Sequence, residues 1–513
     1  MGSHRASLLA LATALALMVG ACSTGGGGGG DSASPETGGR QGLRVMTFNI
    51  EYGGDGVSFD SVIQTVKLAN PDVVGVNEPG KHLPKLADAL GWKYYDEERQ
   101  IISKYPIQLP ADNNPRYSYV EVTPGGYIAV ADVHLPSSPA GPNVIYYKDF
   151  TLKQVLKVEE KNRVPEAKAA LENLQWTASQ GVPSFMMGDF NSPSHLDWTQ
   201  EMVGARPQIK FAVEWPVTKM LENAGLSDSY RVIYPDPKID PGITWPAMRP
   251  KIKGEWNPSK RSLADRIDMI WSGGPATPTD SWVMGEQGAD VKETVSPWPS
   301  DHRALVSTFD VSPAPIPQPR PFVTPEPALL TTGKPLAVTT FSDAPDATVA
   351  VVKSGGDPAS AVAQQPVADG TPVEGFAPAV ALQFDTSGWK AEAHDVVLVV
   401  GGKELARQTF WVRNPGDKVQ LITSKKTYRS GEPIKVSWYG APANRWDWIG
   451  IYERGADNHQ YGLWVYTKSA VAGTYAFGST DPGPWPLDPG EYSARYLLND
   501  GYKSVAEADF TVK

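Results

Sequence analysis

Four short polar clusters stand in the sequence where apolar runs end or begin. They are Thr47-Phe48-Asn49, then Glu78 after Asp72-Val73-Val74-Gly75-Val76, then Gly188-Asp189-Phe190-Asn191, then Ser300-Asp301-His302-Arg303 just ahead of Ala304. His134 and Asp268 add two supporting positions. These residue types suit cleavage of a phosphate ester around a divalent metal. Glu78 presents only acceptor oxygens, which hard cations such as Mg²⁺ or Mn²⁺ prefer. Asn49 can lend an amide oxygen to the same metal or orient a ligand. Glu51 falls on the same face as Asn49 by strand alternation and would be a further metal or supporting carboxylate. Asp189 and Asn191 share a face in the same way if their strand continues. His302 is the candidate acid/base, because imidazole titrates near neutrality. Asp268 would accept from its other ring nitrogen and so fix its tautomer. Asp228 and Arg231, in Ser227-Asp228-Ser229-Tyr230-Arg231, either pair with each other or face a phosphate. The other histidines, His195 among them, read as structural or surface groups.

Such groups need rigid elements to hold them. Residues 43–50, 72–76, 128–133, 184–187, 267–271 and 304–309 predict strands. Residues 58–69 and 155–180 predict helices, the second broken near Pro165. Polar residues at strand ends are where open sheets place ligands. Strands mixed with helices over residues 43–311 predict one α/β domain with layered sheets.

The ordered set Thr-Phe-Asn, Pro-Asp-Val-Val with its glutamate, Val-His-Leu, Gly-Asp-Phe-Asn, Arg-Ile-Asp and Ser-Asp-His-Arg resembles the endonuclease/exonuclease/phosphatase superfamily, over about residues 43–311. The resemblance implies a four-layer fold, two β-sheets packed face to face between helices, and a Mg²⁺-dependent phosphoester hydrolase. It implies a metal-ligating role for Glu78, with Asn49 and Asp301 as metal neighbours. Asp189 would align or deprotonate the attacking water, and Asn191 would hydrogen-bond the phosphoryl oxygens. His134 would stabilise charge on the phosphate or protonate the leaving oxygen. Whether His302 or Asp189 takes the proton from water stays open. Asn77 replaces the usual glutamine before Glu78, a structural position. Met187 and Leu263-Ala264-Asp265-Arg266 replace the tryptophan-bearing segments of inositol phosphatases, which counts against inositol 5-phosphatase activity.

A proline-rich linker, residues 312–321, ends this domain. The tail repeats itself: Gly333-Lys334-Pro335 matches Gly431-Glu432-Pro433, Ala344-Pro345 matches Ala441-Pro442, and the segment from Ala406 matches that from Ala506. The offsets (431 − 333 = 98, 441 − 344 = 97, 506 − 406 = 100) are the length of one immunoglobulin-like sandwich, so two all-β modules are expected, at 322–413 and 416–513. Trp438, Trp446, Trp448, Trp464 and Trp485 crowd the second module, either as core or as a platform for a cell-surface or carbohydrate ligand. All the chemistry lies ahead of the linker, so catalysis is expected to be confined there.

The N-terminus reads as a targeting segment. Arg5, an apolar stretch over 6–18 and Val19-Gly20-Ala21-Cys22 resemble a bacterial lipobox, with 1–22 as signal and Cys22 as the lipidated residue. Residues 23–42, with glycine unbroken over 25–30, form a tether. The expected setting is the cell envelope, with the chain lipid-anchored on the extracytoplasmic side. Cys22 is the single cysteine among 513 residues, so no intrachain disulfide or thiolate zinc site can form. Lys and Arg number 47 against 57 Asp and Glu, a net charge of −10. That surplus opposes a stable duplex nucleic-acid partner, which draws on many phosphate contacts. Lys251, Lys253, Lys260 and Arg261 form one short basic patch. A metal-dependent hydrolase of small or lipid-linked phosphate esters is the first reading. An extracellular nuclease, or a non-catalytic surface binder acting through the modules, are the alternatives.

Overall fold

The computed structural model describes residues 41–513, apart from 251–262, 377, 480 and 482. The targeting segment, Cys22, most of the tether and the basic patch lie outside the described residues.

Residues 41–311 contain two sheets. Their strands in chain order are β1 (Gln41–Asn49), β2 (Val73–Asn77), β3 (Tyr94–Asp96), β4 (Ile101–Ser103), β5 (Ile107–Gln108), β6 (Ser118–Thr123), β7 (Gly126–His134), β8 (Ser184–Asp189), β9 (Ser227–Asp228), β10 (Asp268–Gly273), β11 (Ala276–Gly285), β12 (Glu293–Thr294) and β13 (Ala304–Val311). One sheet runs β12-β11-β13-β1-β2-β4-β3 and the other β5-β6-β7-β8-β10-β9. Side-chain alternation explains why they stack. In β1, Leu43 and Val45 join an inter-sheet core with Phe185 and Met187 of β8. Met46 and Phe48 point the other way, onto α1 (Phe59–Ala69) and α2 (Leu83–Leu90). In β8, Met186 points away from the inter-sheet core, onto Ala167, Leu171 and Leu174. The result is four layers, helix, sheet, sheet, helix, as expected.

Local chemistry sets the helix ends. The Ser58 hydroxyl accepts from the Ser61 amide and starts α1, and Asn70 ends it in the left-handed region at φ 47°. The long predicted helix is two helices, Leu152–Asn162 and Val164–Ser179. The break falls at Arg163, two residues before Pro165, as the proline's missing donor and ring require. Glu159 and Arg163, both buried, pair at 2.6 Å across the break.

Beyond the linker the described chain is all β. Two sheets between residues 322 and 413 share one core, in which Leu336 and Val338 meet Val349 and Phe410. Two more, between 420 and 512, share another around Val436, Ile449, Ala494 and Phe510. The repeat is visible in the matching strands Leu336–Phe341 and Ile434–Tyr439. Among the described residues no helix is long and apolar enough to cross a membrane.

Candidate active site

Strand register brings the chemistry to one edge. His134 pairs with Asp189 across β7 and β8, and Asp189 with Asp268 across β8 and β10. In the other sheet Asn49 pairs with Asn77, one residue before Glu78. Two glycines make the close approach feasible. Gly188 sits at φ 135°, where a Cβ would lie 1.9 Å from the Val133 carbonyl oxygen. Gly75 faces Asp132 in the opposite sheet, and a Cβ there would lie 2.3 Å from a carboxylate oxygen.

His302 Nδ1 lies 3.0 Å from Asp268, while Nε2 faces Asp189 at 3.6 Å and Asp301 at 3.9 Å. The Asp268 amide donates to Thr244 Oγ1, and the His302 amide to Ser300 Oγ, so both partners are held from the backbone. Burial alone would lower the His302 pKa, but Asp268, Asp189 and Asp301 together hold it well above the usual value. Asp189 goes the opposite way to an exposed carboxylate. Burial pushes it up to about 6, against the attraction of His302 and His134. His134 Nε2 lies 3.7 Å from Asp189 and 3.9 Å from Glu78. Asn191 donates through its amide side chain to Asp189 at 3.1 Å and to the Leu135 carbonyl at 2.9 Å.

Several expectations need correcting. Strand alternation does not carry Glu51 or Asn191, because β1 ends at Asn49 and β8 at Asp189. Both residues reach the cleft from turns instead, each at φ 47°. The Asn49 amide is turned with its nitrogen on Glu78 at 3.1 Å and Asp189 at 3.2 Å, and its oxygen on the Glu51 amide. Asn49 thus bridges two carboxylates. Glu51 is bound by Arg249, which sequence reasoning missed, and accepts from the Asp301 amide at 3.0 Å. Burial, then the charge of Asp301, raises Glu51 to about 7. Asp228 and Arg231 do not pair side chain to side chain. Asp228 takes Arg266 at 2.7 Å, Arg231 takes Asp197, and Asp197 also takes Arg266 at 2.9 Å, all buried. This is a structural ion network. Arg266→Ala would strand the buried Asp228 carboxylate and leave Asp197 with Arg231 alone, and should cost about 3–5 kcal/mol in urea unfolding. Asn77 was also undervalued. It donates to Asp132 at 2.7 Å and accepts from the Asp189 amide at 2.8 Å, tying three strands together at the site.

The residues fit a divalent cation. Asp189, Asp268 and His302 bring ligand atoms within 4.8 Å of one another, and Asp268 Oδ1 is buried with no hydrogen-bond partner among the described residues. Glu78 and Asp189 converge on the same Asn49 amide. Seven groups of the predicted site (Glu51, Glu78, His134, Asp189, Asn191, Asp301 and His302) line one cleft of about 750 Å³. An imidazole pinned by one carboxylate, with a second carboxylate and an amide donor beside it, on the rim of a four-layer sandwich, is equipped to move a proton to or from a bound water.

The sequence profile of the Endonuclease/Exonuclease/phosphatase family matches residues 46–302. The chain belongs to that family. An uncharacterised protein of Caenorhabditis elegans is 31% identical over 293 residues, 52% of this chain and 91% of its own length. Among solved structures, an AP endonuclease from Archaeoglobus fulgidus is 19% identical and a 3′-5′ exonuclease from Neisseria meningitidis 20% identical. Each similarity covers 52% of this chain and 100% of the other, with a TM-score of 0.33.

Proposed function

We propose that this phosphoesterase is a divalent-metal-dependent hydrolase of small or lipid-linked phosphate esters, held on the outer face of a cell envelope through Cys22. The Asp268–His302–Asp189 line carries the reading. Glu78, Asp189 and Asp301 would hold Mg²⁺ or Mn²⁺, which when bound supplies positive charge at the phosphoryl oxygens and to the attacking water. Asp268 fixes the His302 tautomer, so Nε2 is the atom that meets the reacting centre. The proton leaving water passes to the Asp189–His302 pair, whose titrations belong to the pair rather than to either residue. Asn191 would donate to the phosphoryl group by giving up one of its two bonds, to Asp189 or to the Leu135 carbonyl, and His134 would face the leaving oxygen. Asn49 and Asn77 hold the carboxylates in register. None of the described residues lining the cleft is Lys or Arg, which favours a substrate with one phosphate over a polyanion.

The test is hydrolysis of a soluble phosphodiester by the full chain. EDTA should abolish turnover, and Mg²⁺ or Mn²⁺ should restore it. Protons compete with the metal for Asp189, which burial raises to about 6, so half-saturating Mg²⁺ should climb as pH falls through that value. Turnover in EDTA, or faster cleavage of plasmid DNA than of any small ester, would replace this reading. The lipid anchor is checked separately, by mass spectrometry of the N-terminal peptide from membranes and by release of Cys22→Ser into the medium.

A further inference from the structure

The opposite wall of the cleft comes from the last β-sandwich. Two loops supply it. One joins the strands Trp448–Glu453 and Trp464–Tyr466 and carries Tyr461. The other is the tip between Gly490–Leu497 and Ser504–Val512, carrying Asp500 and Tyr502. Asn499 and Asp500 adopt φ 51° and 54°, left-handed conformations that these two residue types tolerate best. The tip is fixed by the Asp500 amide, which donates to the Trp446 carbonyl at 2.7 Å. Tyr461, Tyr502 and Trp464 line the same cavity as Glu78 and His134. The ring centroids of Trp448 and Tyr461 are 5.0 Å apart, those of Tyr461 and Tyr502 6.3 Å, and those of Trp448 and Trp464 6.4 Å. Asp500 lies among these rings, accepting from Tyr466 Oη at 2.9 Å. Its charge interacts with those of His134 and Glu78.

We infer that the last sandwich is part of the active site, and that Tyr461, Trp464, Tyr502 and Asp500 form a subsite for an alkylammonium group carried by the phosphate ester. Aromatic rings attract a cation through their negative faces, within about 6 Å of the centroid. A carboxylate among them adds the counter-charge. The described lining holds no Lys or Arg, and the basic groups in it are His134, His302 and His459, the last stacked on Tyr502 at 4.0 Å. A planar neutral ring would stack on such a wall without using Asp500, so the carboxylate decides for a cation. The inference rests on the phosphoesterase reading only for where the phosphorus sits.

The experiment uses the full chain with Mg²⁺ and two p-nitrophenyl diesters of the same shape. One carries a 2-(trimethylammonio)ethyl group, the other its neutral 3,3-dimethylbutyl isostere. The cationic ester should have a kcat/KM on the order of tenfold higher or more, mostly through KM. Asp500→Asn and Tyr461→Leu should bring that ratio towards one. Partial misfolding lowers both rates together and leaves the ratio alone, so the ratio is the readout. Equal rates in the unaltered chain, a ratio unchanged in both variants, or a larger preference for a neutral phenyl diester would each overturn the inference and leave the phosphoesterase reading standing. If neither ester is cleaved, the phosphoesterase reading has failed, and tetramethylammonium chloride titrated against sodium chloride by tryptophan fluorescence decides this one. Saturable binding that Asp500→Asn weakens supports it, and no saturable binding overturns it.

Discussion

His302→Ala should lower kcat for phosphoester hydrolysis by on the order of 10²-fold or more while leaving the chain folded. The imidazole is buried, yet it sits among Asp268, Asp189 and Asp301, and those carboxylates outweigh the burial that would otherwise discharge it. Removing it takes away the proton partner of Asp189 and leaves three carboxylates facing each other. Asp268→Asn should be the milder change. The ring keeps a neighbour at Nδ1, but an amide can hold either tautomer, so the pH profile shifts as well as the rate. Circular dichroism and kcat measured on the same samples separate loss of chemistry from loss of fold. An unaffected His302→Ala would remove this residue from the mechanism.

The site was legible in the sequence to the extent that it is written on strand ends. Asn49, Glu78, His134, Asp189, Asp268 and His302 were found because a polar residue closing an apolar run marks a sheet edge, and the register then brings them together. What failed was extrapolation past the ends. Glu51 and Asn191 lie on turns with positive φ, and alternation says nothing about a chain that has left the strand. Which way the Asn49 amide faces is a property of its neighbours, two carboxylates, that no spacing encodes. Arg249 was missed for the same reason, since its partner Glu51 lies 198 residues away in sequence.

The tail shows the larger gap. Its repeat, and hence two all-β modules, could be read from matched segments, because strands and turns are local. Its tryptophans could not be sorted. Trp438 is core, packed with Val436 and Phe477. Trp448 and Trp464 turn to the cleft, and Trp446 donates its ring N–H to the Glu98 carbonyl at 2.8 Å. Core and docking aromatics have the same composition and the same alternation, and differ only in what lies opposite. The sequence places its polar clusters ahead of the proline linker, while Trp448, Tyr461 and Asp500 line the cleft from beyond it. A linker separates segments in sequence, and it does not prevent the segment beyond from folding back.

That docking carries the second large prediction. Arg445 enters the catalytic half almost completely buried, donating to the Asp132 carbonyl at 2.7 Å and the Pro115 carbonyl at 3.1 Å. Asp132 is two residues before His134, and its carboxylate holds Asn77, which in turn holds the Asp189 amide. The last sandwich therefore reaches the backbone of Asp189 through hydrogen bonds that pass across residue Asp132, from its carbonyl to its carboxylate, and through Asn77. Lys161 and Asp481, 3.2 Å apart, pin a second edge. A chain ended at residue 415 would bare this surface, leaving Trp446's partner and the Asp132 carbonyl to water and removing one wall of the cleft. It should lose more than tenfold in kcat/KM on soluble esters, a large part of the ~2–3 kcal/mol that burying one large aromatic contributes, and resistance to proteolysis near Pro115. Arg445→Met keeps the stem but not the guanidinium, and should cost about 1–3 kcal/mol in urea unfolding for the buried carbonyls left unpaired. Its kcat should fall with KM little changed if the effect travels through Asp132 and Asn77, whereas a loosened wall would raise KM. A chain ended at 415 that folds and works at the full rate would show that the sandwich is a passenger and that the hydrogen-bond chain to Asp189 has no catalytic weight.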